Sequence, residues 1–528
     1  MQLLPSCTKS FSFITCGMKN SILTVTKDPL IPMMALISIF IHLIIINNLE
    51  YHRDELLYFS LGMHPAAGYA SVPPLTGWIA WIMQSIFGYS VFAVRLFPAL
   101  LGGALIILVA SVTRELGGSK YAAFLSSVGL MISIFFQRTY FLFQPVHIEI
   151  FLWTLIIFLV IKYINSKNGN ILILLGIFSG LALLNKYLTV LLLAGLFAMI
   201  PFTKHRYVFL ERKFLAGLAA GLLVFLPNLI WQFYRGFPVF NHMSELYDTQ
   251  LVHTDAPLFL TEQLIMPFAG SFFTVAGLIF LLTSDKLKSY RFLGWLALFV
   301  IGGLLLLKGK SYYTLGVFPL LIASGAVAYE QWLSEIWKRI LFIVILILVT
   351  LPVVPIGIPV FKTPGLIKYF EFQEDKLGID LGRRFEDGTI HSLPQDYADM
   401  LGWVELTTVA DSAYRMVRDK GACFIYGENY GQAGAITVIG KKYGLPEAIS
   451  FSESFQYWIP RQFEPDIKSV LYINDEEPGE DVRALFSRIT MVGSISNPHS
   501  REYRTAVYLC EEPARSFNDF WTERINAE

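Results

Sequence analysis

From Ile31 to about residue 360 the chain alternates long apolar runs with short polar breaks. A helix needs about 20 apolar residues to cross the core of a bilayer. Eleven segments approach that length: 31–48, 91–113, 120–137, 146–163, 171–185, 187–202, 214–232, 266–283, 292–307, 311–328 and 340–360. No small-residue cleavage site follows the first run, so it reads as a retained span behind a tail at 1–30, not as a signal peptide. Beyond residue 361 the pattern changes. GACFIYGENYGQAGAITVIGKKYGLP (421–446) reads as a strand, a Gly-rich turn and a helix, and SVLYIN (469–474) and TAVYLC (505–510) read as further strands. The predicted architecture is a mainly α, polytopic membrane region over 31–360 with about 11 transmembrane helices. A C-terminal α/β domain of ordinary size follows over 361–528.

Composition agrees. Of 528 residues, 54% are hydrophobic and 16% charged, against about 25% charged in soluble proteins. The net charge of zero hides a split. Residues from 361 onward carry 18 Lys+Arg and 27 Asp+Glu, and the preceding part carries the compensating positive excess. With the N-terminus in the cytoplasm and sides alternating, sixteen Lys and Arg fall in cytoplasmic segments. Only Arg53, Arg138, Lys186, Arg235, Lys308 and Lys310 fall outside. That is the positive-inside bias, and with eleven spans it places the C-terminal domain beyond the cytoplasm. No basic stripe lies outside these short loops, which excludes nucleic acid as a partner. Among the four cysteines no pair has zinc-ligand spacing. Cys423 and Cys510 lie in apolar strand-like runs and read as buried thiols; a disulfide between them stays open.

Two outer loops are long enough to carry function, 49–90 and 233–265. The first opens YHRDELLYFSLGMHPAAGYASVPPLTGWIAW (51–81). Asp54 and Glu55 follow the first span at once, where desolvation makes acids costly. Two readings stay open for them: proton transfer or metal ligation, and simple exposure at the headgroups.

The order of segments resembles a known family. R-D-E-x-x-Y (Arg53, Asp54, Glu55, Tyr58) precedes Gly68, Pro73, Pro74, Leu75 and Trp78, then Phe87, Gly88, Arg95 and Gly102. LALLNKYLTVLL carries Lys186 and Tyr187. FLPNLIWQFYRGFPVFNHMSEL carries Pro227, Asn228, Trp231, Gln232, His242 and Glu245. KSYYTLGVFPLLIASGAVA carries Lys310, Tyr312, Tyr313 and Pro319, and YGENYGQAGAI closes the series. Together these resemble the bacterial branch of the dolichyl-phosphate-mannose protein mannosyltransferase and lipid A aminoarabinose transferase superfamily, membrane glycosyltransferases of the GT-C fold. The sequence departs from the lipid A branch at Leu57 and Pro73, and from many bacterial relatives at Val72.

The resemblance implies an enzyme of a bacterial inner (plasma) membrane that takes a sugar from a polyprenyl-phosphate donor. The acceptor, a lipid, a glycan or a protein, attacks with inversion. Asp54 and Glu55 are then the catalytic acids, as general base or as ligands of a divalent metal ion. The implied donor-binding set is Arg53, Tyr58, Arg138, Lys186, Tyr187, His242, Lys308, Lys310, Tyr312 and Tyr313, cations and tyrosines suited to a leaving phosphate. Each has a plainer reading. Lys186 and Lys310 snorkel at helix ends as readily as they bind phosphate, Arg95 reads as structurally paired, and Trp78, Trp81 and Trp231 read as interface anchors. His64 and His253 read as ordinary loop residues, whereas Glu149 near an outer helix start could face the pocket. Two rival functions are a transporter or flippase of a lipid-linked sugar, which would place ionisable groups mid-membrane in inverted repeats, and a membrane scaffold, which leaves the acidic pair unexplained.

Overall fold

The structure is a computed structural model and describes residues 22, 24–249, 251–378, 382–385 and 388–527. Most of the expected tail at 1–30, with Lys9, Lys19, Cys7 and Cys16, and the side chain of His253 lie outside the described residues. The chain divides into two compact units. One comprises the chain up to Ile44, Val72–Leu75 and Leu96–Ile358; the other comprises Ile45–Ser71, Thr76–Arg95 and Pro359–Glu528. The first outer loop therefore groups with the C-terminal residues, which the sequence had separated at 360.

The larger unit is helical throughout. Six of its described helices are long and apolar enough to span a bilayer: Val91–Glu115, Pro145–Ser166, Arg212–Tyr234, Lys288–Leu306, Ser311–Trp332 and Ile336–Gly357, the first of which begins in the other unit. A seventh is broken. Ala256–Ile265 and Phe268–Thr283 meet at 89°, where Pro267 interrupts the amide ladder and Phe268 takes a left-handed φ of 50°. Four further apolar helices are shorter: Leu30–Ile45, Leu75–Phe87, Asn170–Leu183 and Thr189–Phe202. The expected segments at 31–48, 171–185 and 187–202 correspond to three of these. At a rise of 1.5 Å per residue, a helix of 14 residues such as Asn170–Leu183 reaches about 21 Å. The expected span at 120–137 is a helix of only 12 residues, Lys120–Met131, followed by a break at Ser133.

Burial separates interior from perimeter. Pro145–Ser166 is 83% buried over its apolar window, whereas Arg212–Tyr234 is 17% buried and presents its side chains outward. Without a hydrophobic difference between helix and lipid, close backbone approach and dispersion hold such helices together. Asn170–Leu183 and Arg212–Tyr234 meet through glycines on both sides. A side chain on Gly217 would collide with the Leu172 carbonyl, and one on Gly221 with the Gly176 carbonyl. Phe268–Thr283 and Ser311–Trp332 repeat the device with Gly277 against Leu321 and Gly325 against Phe273.

In the second unit a four-stranded sheet is built from β1 (Cys423–Gly427), β2 (Ser469–Asn474), β3 (Phe486–Ser494) and β4 (Ala506–Pro513), in the order β1-β2-β4-β3. β1 and β2 run parallel, with Cys423 opposite Ser469; the other pairings are antiparallel. The Gly-rich turn after β1 leads into the Tyr430–Ile439 helix through a capping box of Asn429 and Gln432. Phe424, Val470, Cys510, Phe517 and Trp521 pack into one core. Cys423 and Cys510 are free thiols; Cys510 is buried as expected, whereas Cys423 is half-buried.

Gly217→Leu is expected to lower the thermal midpoint of the detergent-purified protein, because overpacking of a filled contact costs typically ~1–3 kcal/mol. Fluorescence-detected thermal unfolding would show this. A midpoint equal to wild type would mean that the glycine contact does not hold the two helices.

Candidate active site

The Arg53–Leu61 helix presents the acidic pair in its first turn. His52 caps it: its Nδ1 accepts from the Asp54 amide at 3.1 Å, and its own amide donates to Glu55 Oε2 at 2.8 Å. Successive helical residues point about 100° apart, so the two carboxylates face different surroundings. Glu55 turns inward and is completely buried. Arg95, 1% exposed, meets it with Nη2 2.9 Å from Oε2 and Nε 3.1 Å from Oε1. The same guanidinium donates to the carbonyls of Ile46 (2.8 Å), Leu49 (3.3 Å) and Glu50 (2.5 Å). Both Glu55 oxygens are thus engaged inside the scaffold, and a guanidinium occupies the place a cation would need. Glu55 thus leaves no oxygen for a divalent metal ion, and its contacts fix the backbone around it.

Asp54 is half-buried. The Tyr430 hydroxyl donates to its Oδ1 at 3.0 Å, from the first turn of the helix after the Gly-rich element. Burial, and then the Asp54 charge, raise the Tyr430 phenol well above its ordinary value, so it stays a neutral donor. Arg53 lies 4.5 Å over the Tyr430 ring. Tyr58 lies half-buried one turn beyond Asp54 on the same helix.

One cluster of potential ligands escaped the sequence reading. His52, Asp396 and Asp399 each bring one ligand atom within 4.8 Å of the others, with Asp399 also paired to Arg501 at 3.1 Å. The buried His52 Nε2 has no hydrogen-bond partner. Because Nδ1 accepts from the Asp54 amide, the neutral ring carries its proton on Nε2. A metal-bound imidazole has the reverse arrangement, ligating with one nitrogen and donating with the other. The spacing His52-x-x-Glu55 was the available signal, and it is a capping signal.

In the helical unit a second grouping forms around Lys186. Its Nζ lies 3.0 Å from Glu149 Oε2 and 4.0 Å from the centroid of the Tyr313 ring. Tyr312 packs edge-on against Tyr313 at 4.7 Å and stacks with Phe135, over which Arg138 lies at 5.9 Å. Tyr187 donates to Asn228 at 2.8 Å and accepts from Gln232 at 2.7 Å. Five of the expected donor-binding residues, Arg138, Lys186, Tyr187, Tyr312 and Tyr313, are thus drawn into polar and aromatic contacts at the ends of apolar helices, and Glu149 joins them as the partner of Lys186. Two others lie elsewhere. Lys308 turns toward the Val252 carbonyl at 3.4 Å, and His242 sits half-buried on the Pro238–Thr249 helix. Lys310 is the residue that opens the Ser311–Val317 turn.

Residues 71–231 match the dolichyl-phosphate-mannose-protein mannosyltransferase family model. The fold is similar to that of ArnT from Cupriavidus metallidurans bound to undecaprenyl phosphate, with a TM-score of 0.58, 13% identity, and coverage of 90% of this chain and 97% of that one. At that level of identity the likeness shows a shared fold. The apo form of ArnT superposes with a TM-score of 0.54. Two curated relatives are also similar: the lipopolysaccharide core galacturonosyltransferase RgtA of Rhizobium johnstonii, 23% identical over 37% of this chain, and an uncharacterised protein of Aquifex aeolicus, 32% identical over 31%. The matched stretches span 39% and 32% of those relatives' lengths. With its apolar helices and an ArnT-like fold, the chain is an integral membrane protein.

Arg95→Leu is expected to destabilise the fold by roughly 3–5 kcal/mol, because it leaves Glu55 buried and uncompensated. The double variant Glu55→Leu/Arg95→Leu should recover part of that loss. A double-mutant cycle on unfolding midpoints checks it, and strictly additive effects would sink the pairing argument.

Proposed function

We propose that this chain acts as a GT-C glycosyltransferase, transferring a sugar from an undecaprenyl-phosphate-type donor to an extracytoplasmic acceptor, with Asp54 as general base. The observation that carries this reading is the division of labour in the acidic pair. Glu55 is fixed by Arg95, while Asp54, one residue earlier, is half-buried and oriented by the Tyr430 hydroxyl. Such an arrangement holds a carboxylate ready to accept the proton of an attacking hydroxyl.

In the reaction the acceptor oxygen bonds to the anomeric carbon as the bond from that carbon to the phosphate oxygen breaks. The hydroxyl proton passes to Asp54, and the lipid phosphate leaves with the bonding pair. A single displacement of this kind inverts the anomeric centre. Charge grows on the leaving phosphate, and preorganised cations answer it best because they do not reorganise during the step. Within the helical unit Lys186 is a restrained cation of that kind, held by Glu149 against the Tyr313 ring. The bound lipid in the similar ArnT structure and the galacturonosyl transfer named for RgtA support a polyprenyl carrier and an envelope glycan or lipid as acceptor. The positive-inside bias supports an N-terminus in the cytoplasm, and the resemblance of the motifs to bacterial members supports a bacterial inner membrane.

Asp54→Asn should lower transfer from a radiolabelled polyprenyl-phosphate sugar by about 10²–10⁴-fold while leaving the unfolding midpoint near wild type. Tyr430→Phe should lower turnover more than it raises the KM for donor. If Asp54→Asn retains full transfer, the assignment is wrong. Movement of intact donor lipid across the bilayer, indifferent to Asp54→Asn, would instead identify a transporter.

A further inference from the structure

A cavity of about 420 Å³ lies in the second unit, between the stretch from Phe385 to Ala398 and the loop from Pro498 to Tyr503. Its size suits a small ligand, and no residue of the proposed reaction lines it. The polar lining is rich in donors: the Arg501 guanidinium, the His391 and His499 imidazoles, the Gln395 amide and the Ser392 hydroxyl. Among the described residues that line it, none is a carboxylate. One wall is aromatic, with the Phe385 and His391 rings stacked at 3.8 Å.

These walls are held in place before any ligand arrives. Ser392 Oγ and His499 Nδ1 lie 2.7 Å apart and tie the two stretches together. His391 Nε2 is 2.7 Å from Thr389 Oγ1. The Arg501 amide donates to the Ala398 carbonyl at 3.2 Å, and its guanidinium pairs with Asp399. Asp399 leads on to the Asp54 helix, since its carbonyl accepts from the Arg53 amide at 3.2 Å.

We infer that this cavity binds an anionic saccharide unit of the acceptor, carboxylated or phosphorylated; the word acceptor rests on the transfer reading above. A flat ring face takes the apolar side of a pyranose, and charge-assisted donors take its acid group. The lining is as polar as it is apolar, which suits a sugar acid and not a polyprenyl chain. Carboxylate and phosphate share the donor chemistry and are separated by the probes below.

The test uses the full chain in lipid nanodiscs and ligand-observed NMR titrations with glucuronic acid, glucose 6-phosphate, glucose and inorganic phosphate. One of the two acidic sugars is expected to bind at least about ten-fold more tightly than glucose or inorganic phosphate, the scale of one charge-assisted contact. Arg501→Gln and His391→Ala should each weaken it by a similar factor, and Asp54→Asn should not. His391→Ala, on the aromatic wall, keeps the test decisive if Arg501→Gln, which also unpairs Asp399, fails to fold. Equal binding of glucose, phosphate alone binding as well as the sugar phosphate, or folded Arg501 and His391 variants that bind as wild type would each overturn the inference. Binding is read without turnover, so failure of the Asp54 assignment would leave this result standing.

Discussion

The arrangement of the acidic pair depends on one buried ion pair, Glu55 with Arg95. Taking two charges out of water is expensive, and only good geometry with every other donor satisfied offsets the cost. Arg95 meets that condition by also binding three carbonyls between Ile46 and Glu50. The chain that leaves the first apolar helix is thereby wrapped around a single guanidinium, and the start of the Arg53–Leu61 helix is fixed to it. A hydrophobic pair of similar volume would fill the space but would not gather those carbonyls. The charge here specifies one backbone path, and that path sets the direction in which Asp54 points.

The helical unit solves a different problem. Its surroundings offer no hydrophobic gain for helix association, so contact depends on how closely backbones approach. Glycines facing glycines or carbonyls supply that approach at the Asn170–Leu183 helix and its neighbour. The same helix is followed closely by Lys186, which Glu149 restrains from the start of a deeply buried span. A lysine that merely snorkelled would extend to water, whereas this one is 21% exposed and lies against a tyrosine ring. Tight packing and a restrained cation are two results of one close contact region.

Much of this was legible in the sequence. Apolar runs located the helices, the Gly-rich YGENYGQAGAI element located a strand–turn–helix, and Arg95 read as paired. What failed, failed for physical reasons. Hydropathy counts apolar residues but not helix breaks, so Ser133 shortened the segment at 120–137 that looked continuous, and the apolar helix before Pro267 was read as outer loop. Spacing cannot tell adjacent acids apart, because burial, not composition, separates Glu55 from Asp54. Partners distant in sequence were out of reach: Tyr430 lies 376 positions from Asp54. His52 could have been found, since a side-chain acceptor three residues before a glutamate is a capping pattern, though histidine is not a residue usually sought there.

The position of Asp54 also bears on how steady its orientation is. A tyrosine that ionised would become an acceptor and repel the carboxylate it now binds. Burial prevents this by disfavouring the phenolate, and the negative charge of Asp54 pushes in the same direction. Arg53, stacked on the ring face rather than bonded to the hydroxyl, holds the ring without competing for the oxygen. The amide of Asp54 is meanwhile fixed by His52 Nδ1, which requires the imidazole to be neutral. The carboxylate is therefore held from the side chain by a donor that stays protonated in the ordinary range, and from the backbone by the histidine cap.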